Sequence, residues 1–136
     1  MKTRIVVAAV IEYDGKILLG QKTPGVGPYP NSWHLPGGGV DLEVETIDEA
    51  MRREIREETG LEVAELTRDG FDEDYENDKT GILTHYVFLR YDVKVKTDKA
   101  SADDDLRMLK WIPISELSKI ELARPLSKHL KEKGII

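Results

Sequence analysis

Cysteine is absent from the chain. Thiol catalysis, cysteine-ligated zinc and disulfides are therefore excluded, and the redox compartment is left open. Aromatic residues are scarce, at 7%, and no apolar run approaches the roughly 18–20 residues that a membrane span needs. Positive charge is in deficit as well, with 20 Lys and Arg against 26 Asp and Glu for a net charge of -6. That balance argues against a nucleic-acid polymer as partner, because phosphate backbones select a basic face. Free nucleotides stay open, since a divalent cation reconciles acidic side chains with phosphates. Internal repeats and low-complexity tracts are also missing.

What is present suffices for a packed fold. A chain of 136 residues, 40% of them hydrophobic, buries about two-thirds of its unfolded surface, so residues 1–136 are expected to form a single domain. Lys2 and Arg4 precede a short apolar run that soon meets Glu12 and Asp14 without a small-residue cleavage site. The run therefore reads as a buried first strand rather than a leader, and a cytoplasmic location is expected.

"RIVVAAVIEY" and "KILLGQK" flank Asp14-Gly15, a strong hairpin signal. "TPGVGPYPNS" is a proline loop, and "WHLPGGGV" reads as a short strand interrupted by Pro36 and the glycines. Further on, "EVAELTRDGFDEDYEND" mixes strand and acidic loop, while "GILTHYVFLRYDVKV" is the longest β-rich run. "RMLKWIPI" is another strand, "SELSK" a helical turn and "LARPLSKHLKEKG" a closing helix. The pattern is that of an α/β chain with a mixed sheet flanked by helices.

The segment "GGGVDLEVETIDEAMRREIREETGL" carries the strongest helix. Thr46 and Glu49 form a capping box and Gly60 a stop, which bounds it at about Ile47 to Thr59. On a wheel of about 100° per residue, Ala50, Met51 and Ile55 define an apolar sector opposite Asp48, Arg52 and Arg56. Glu54 and Glu58 project at about 340° and 20°, inside the apolar sector, and Glu57 borders it at about 280°. A solvated face with ion pairs accounts for Glu49 with Arg53 and Arg53 with Glu57. It does not account for Glu54 and Glu58, because like charges one turn apart near a core cost several kcal/mol unless a cation joins them. With only oxygen donors on offer, that cation is Mg²⁺ or Mn²⁺. His34, His85 and His129 show no zinc-ligand spacing and read as structural or exposed.

At this point the residues resemble a known motif, the Nudix box G-x5-E-x7-R-E-U-x-E-E-x-G-U, where U is aliphatic. Gly39, Glu45, Arg53, Glu54, Ile55, Glu57, Glu58, Gly60 and Leu61 fill every fixed position. "VVAAVI", "DGKILL", "NSWHLPGGG" and "LKWIPISEL" extend the similarity over nearly the whole chain. The family often has glycine before the residue at Glu45, and here Val44 stands there.

The resemblance implies an α/β/α sandwich that hydrolyses a nucleoside diphosphate linked to another group. By the same resemblance Glu54, Glu57 and Glu58 ligate the metal with a backbone carbonyl near Gly38, Arg53 orients the glutamates, and Glu45 braces the loop. An acid from outside the box matches Asp105, with Asp104 next. A carboxylate beside the attacking water takes its proton, and either Glu57 or Glu54 suits that role.

For the substrate, Lys22 is placed to meet phosphate, and Trp33 or Tyr29 is available for stacking. Phe71, Tyr75 and Tyr86 are further aromatic candidates, and a buried core role competes for Trp33. "FDEDYEND" lacks the proline usual in ADP-ribose pyrophosphatases. A compact, MutT-like nucleoside triphosphate pyrophosphohydrolase is therefore the expected activity. An ADP-ribose or nucleotide-sugar pyrophosphatase and a non-catalytic nucleotide sensor are the alternatives, and the chain is expected to act as a monomer or homodimer.

Overall fold

The computed structural model describes residues 1–22, 32–101 and 106–136. Strand β1 (Lys2–Tyr13) runs through the middle of a mixed sheet. Asp14 and Gly15 turn it back into β2 (Lys16–Lys22) with φ of 52° and 74°. Two consecutive left-handed residues are what a type I′ turn demands, and Asp-Gly is among the pairs that tolerate them. β1 also pairs in parallel with β5 (Leu83–Val95), which is antiparallel to β4 (Val63–Asn77). β2 is antiparallel to β6 (Leu106–Pro113), so the order is β4-β5-β1-β2-β6.

The glycines that the sequence reading treats as a strand interruption are themselves the strand. β3 (Gly37–Gly39) pairs antiparallel with Val6, Val7 and Ala8. The reason is space. A Cβ on Gly37 would lie 1.9 Å from the Val7 carbonyl oxygen, and one on Gly38 would lie 2.4 Å from Glu54 Oε1. Backbone approaches this close are why glycine enters strands.

A second correction concerns "FDEDYEND", expected in part as an acidic loop, which continues β4 as paired strand as far as Asn77. Asp69 and Gly70 form a bulge between Arg68 and Phe71 rather than a turn, with Gly70 at φ 80°. Beyond the bulge the acids find counter-charges. Asp72 pairs with Arg90, and Asp74 and Glu76 both pair with Arg124 at 2.9 and 2.5 Å.

Helix α1 (Ile47–Thr59) covers one face of the sheet and α2 (Arg124–Glu132), with a 3₁₀ turn at Ile114–Lys119, covers the other. β2 shows how alternation builds both layers: Leu18 joins Met51, Ile55 and Tyr91 on the α1 side, while Ile17 and Leu19 join Leu126 and Leu130 on the α2 side. Met51 and Ile55 are fully buried, each adding about 1.5–3 kcal/mol over exposure. Tyr91 fixes the start of α1 by donating its hydroxyl to Asp48. Burial first, and that bond second, push the phenol pKa up to about 12.

Candidate active site

Local sequence places the carboxylates. Thr46 accepts from the Glu49 amide at 3.1 Å, and Glu49 accepts from the Thr46 amide at 2.8 Å, so the predicted capping box is complete. Gly60 ends the helix at φ 70°, donating to the Arg56 carbonyl. These caps fix the rotation of α1, and the expected sector holds: Glu54 and Glu58 are 8% and 2% exposed while Arg52 and Arg56 face solvent.

Glu58 turns to β3, accepting from the Gly37 amide at 2.7 Å. Glu54 packs beneath Gly38, in the space a side chain there would occupy. Arg53 organises the rest. Its Nε and Nη2 grip both oxygens of Glu45 at 2.7 and 2.9 Å, its Nη1 reaches Glu54 at 2.9 Å and Glu57 at 3.1 Å, and Nη2 also donates to the Gly39 carbonyl at 3.2 Å. The two-pronged bond to Glu45 is the largest influence raising the Arg53 pKa, and it lowers that of Glu45. The expected Glu49–Arg53 pair is therefore corrected. Glu49 spends its side chain on the cap, and Glu45 in the preceding loop takes the guanidinium.

Among the described residues, no group of three or more His, Cys, Asp or Glu side chains is arranged to hold a metal ion. Arg53 stands between Glu54 and Glu57, and Glu58 is bonded to Gly37. The donor chemistry nevertheless suits a hard divalent cation. It consists of carboxylates alone, two of them buried one turn apart, packed against a glycine strand at the wall of an open cavity. Asp104 and Asp105 lie outside the described residues.

Glu54, Glu58 and the three glycines line a cavity of about 340 Å³, within the range of small-molecule sites. Its floor includes Arg4, Tyr86, Phe88, Asp72 and Arg90, and α2 supplies Leu126 and His129. Tyr86 is the one further aromatic candidate found here. Phe71 and Tyr75 are exposed instead, with Tyr75 stacked on His85 at 4.8 Å. Trp33 packs with Leu35 against the second core cluster and is not among the described lining residues, which is its core reading. Lys22 is the last residue of β2 with its side chain outside the described part, and Tyr29 lies outside it entirely.

Sequence reasoning missed Arg4, Asp72, Phe88 and Arg90. Period-two alternation along β1 and β5 could have put Arg4 with Val6 and Ala8, and Phe88 with Tyr86, but not the strand pairing that joins them.

A profile of the NUDIX domain matches residues 1–133. The chain belongs to the Nudix family. This Nudix chain is 30% identical, over the full length of both proteins, to a nucleoside triphosphatase NudI from Escherichia coli. Its fold is similar to that of a MutT NUDIX hydrolase from Burkholderia pseudomallei, with a TM-score of 0.77, 25% identity and coverage of 93% of this chain and 95% of the other. The NUDIX domain of Shewanella oneidensis NrtR, solved with ADP ribose, has the same TM-score at 20% identity, covering 98% and 89%. The Nudix sandwich and a hydrolase acting on pyrophosphate bonds are thereby established, in a family that generally uses divalent metal ions. No described helix is long and apolar enough to cross a membrane.

His129, 2% exposed in the cavity wall, gives the Nudix domain a pH response. Burial, then the charges of Arg90 and Lys133, lower its pKa. The folded state thus binds the proton less readily than the unfolded chain, whose histidine titrates near about 6.5. Stability is complete above that pH and declines below it. The melting temperature should fall on acidification from pH 7.5 to 5.5, with a shallower slope in His129→Gln. An unchanged slope in the variant would assign the effect elsewhere.

Proposed function

We propose that the chain is a Mg²⁺-dependent nucleoside triphosphate pyrophosphohydrolase, with Mn²⁺ as a substitute, releasing a nucleoside monophosphate and pyrophosphate. The observation that carries the reading is the pair of buried carboxylates, Glu54 and Glu58, turned against a glycine strand at the wall of a nucleotide-sized cavity. The full-length likeness to proteins named nucleoside triphosphatase supports the substrate class.

Glu54, Glu57, Glu58 and the Gly38 carbonyl would hold the metal, with Asp105 as a further ligand. Bound there, it would neutralise phosphate charge and acidify a water. Arg53 keeps Glu54 and Glu57 aligned and ties them through Glu45 to the loop before α1. The water adds to a phosphorus, the bridging P–O bond breaks, and pyrophosphate leaves. Glu57 is the better proton acceptor of the two candidates, because its side chain is 43% exposed and open to water, whereas that of Glu54 is 11% exposed and wedged under Gly38.

Arg4 supplies positive charge where phosphates would lie. Its guanidinium sits over Gly39, and among the described residues it has no carboxylate partner, while the neighbouring Lys2 is bound to Asp78 at 2.5 Å.

The deciding experiment is turnover of a panel of nucleoside triphosphates, ADP-ribose and nucleotide sugars with millimolar Mg²⁺, each repeated in chelator. The triphosphates should give monophosphate and pyrophosphate, and chelator should stop the reaction. Faster cleavage of ADP-ribose or a nucleotide sugar would move the chain to that class. Tight binding without turnover of any of them would make it a sensor.

A further inference from the structure

One row of residues crosses the cavity floor from strand to strand. Gly39 of β3 faces Val6 of β1, Val6 faces Phe88 of β5, and Phe88 faces Asp72 of β4. All four line the cavity. With strands about 4.8 Å apart, three steps put Asp72 about 14 Å from Gly39. An extended nucleotide covers that span from the edge of its base to its inner phosphates. With phosphates beside Gly39 and Arg4, the base arrives at Phe88 and its edge at Asp72.

The far end of the row has the properties of a site that reads an edge. Asp72 is 7% exposed, and its Oδ2 accepts from Arg90 Nη1. Among the described residues no donor is bonded to its other oxygen. A carboxylate oxygen that borders a cavity can accept from a donor on a ligand bound there. Beside it, Phe88 lies nearly parallel to Tyr86, with centroids 5.8 Å apart and planes 20° apart, which offers a flat apolar surface. The rival account, that Asp72 only neutralises Arg90, uses one oxygen and leaves the other open toward the cavity.

We propose that Asp72, held in place by Arg90, accepts a hydrogen bond from an N–H on the Watson–Crick edge of the substrate's base, which lies against Phe88. This contact decides which bases the enzyme turns over. The inference rests on the nucleotide reading of the cavity, and it assigns a specificity that the reading itself leaves open.

Two measurements test it. First, kcat/KM is determined for wild-type and Asp72→Asn enzymes on ATP, GTP, CTP and UTP and their deoxy forms. The amide can donate where the carboxylate only accepts, so the order of preference should change, with ratios between bases shifting about 10- to 100-fold. A loss that is uniform across bases would reduce Asp72 to a structural anchor and overturn the proposal. Second, wild-type enzyme is given its preferred nucleotide with the Watson–Crick N–H groups methylated. This arm does not depend on the variant folding, and kcat/KM should fall by a similar factor. Unimpaired turnover of the methylated substrates would overturn the proposal even if Asp72→Asn is unstable. Failure of wild type to cleave any unmodified triphosphate would instead defeat the nucleotide reading, and this inference with it.

Discussion

Replacing Glu57 with glutamine is expected to lower kcat by about 10²–10⁴-fold at saturating Mg²⁺, the range for loss of a general base. The fold should survive with little change in melting temperature. Glu57 is exposed, and among the described residues its side chain is held by an i,i+4 pair with Arg53 at 3.1 Å, an arrangement that contributes only about 0.3–0.5 kcal/mol. Charge is therefore removed from the chemistry without removing much from stability. Steady-state turnover and a thermal melt decide the matter together. Near-normal kcat would shift the proton to Glu54 or to a group outside the box.

Arg53→Ala should damage both properties, and Arg56→Ala neither. The Arg53 guanidinium holds both oxygens of Glu45, one each of Glu54 and Glu57, and the Gly39 carbonyl. Its removal takes a counter-charge from the buried Glu54 carboxylate and releases the loop. Allowing for the partial exposure of Arg53, we expect a loss of about 2–3 kcal/mol, or roughly 6–12 °C in melting temperature. Turnover should fall at least about 100-fold, because the glutamates lose their alignment. Arg53→Lys should recover little, since an ammonium cannot reproduce the fork on Glu45. Arg56 lies on the solvent face, so equal effects at positions 53 and 56 would mean that α1 is rotated from the orientation described.

The parts of this structure that were legible in the sequence are those written in local chemistry. The Asp14-Gly15 turn, the Thr46–Glu49 cap and the Gly60 stop each depend on residues a few positions apart, and each stands where the sequence put it. The burial of Glu54 and Glu58 followed from the helical period, which sets them in the sector of Ala50, Met51 and Ile55. What escaped depends on partners far along the chain. β3 is a strand only because β1 and Glu54 come close enough to exclude any side chain. The acids of β4 are tolerated in a strand because Arg90 arrives 18 residues after Asp72 and Arg124 arrives 50 after Asp74. The Glu49–Arg53 pair was misread for a simpler reason: one carboxylate was assigned to two bonds, and the cap took it.

β4 also ends the sheet, with β5 on one side and no strand on the other in the sheet order. It places six acidic residues within fifteen positions along that border. A border of unpaired amides and carbonyls invites a second copy to zip onto it, and massed like charge is a recognised way to refuse. Within β4 Arg68 is the one cation beside those six acids, so the strand is negative along its length although Arg90 and Arg124 from other elements pair with Asp72, Asp74 and Glu76. Strand-to-strand stacking of two molecules would bring both negative strands into register. The acids that tie Arg124 of α2 to β4 thus belong to the same strand whose like charge opposes stacking of two molecules along that border.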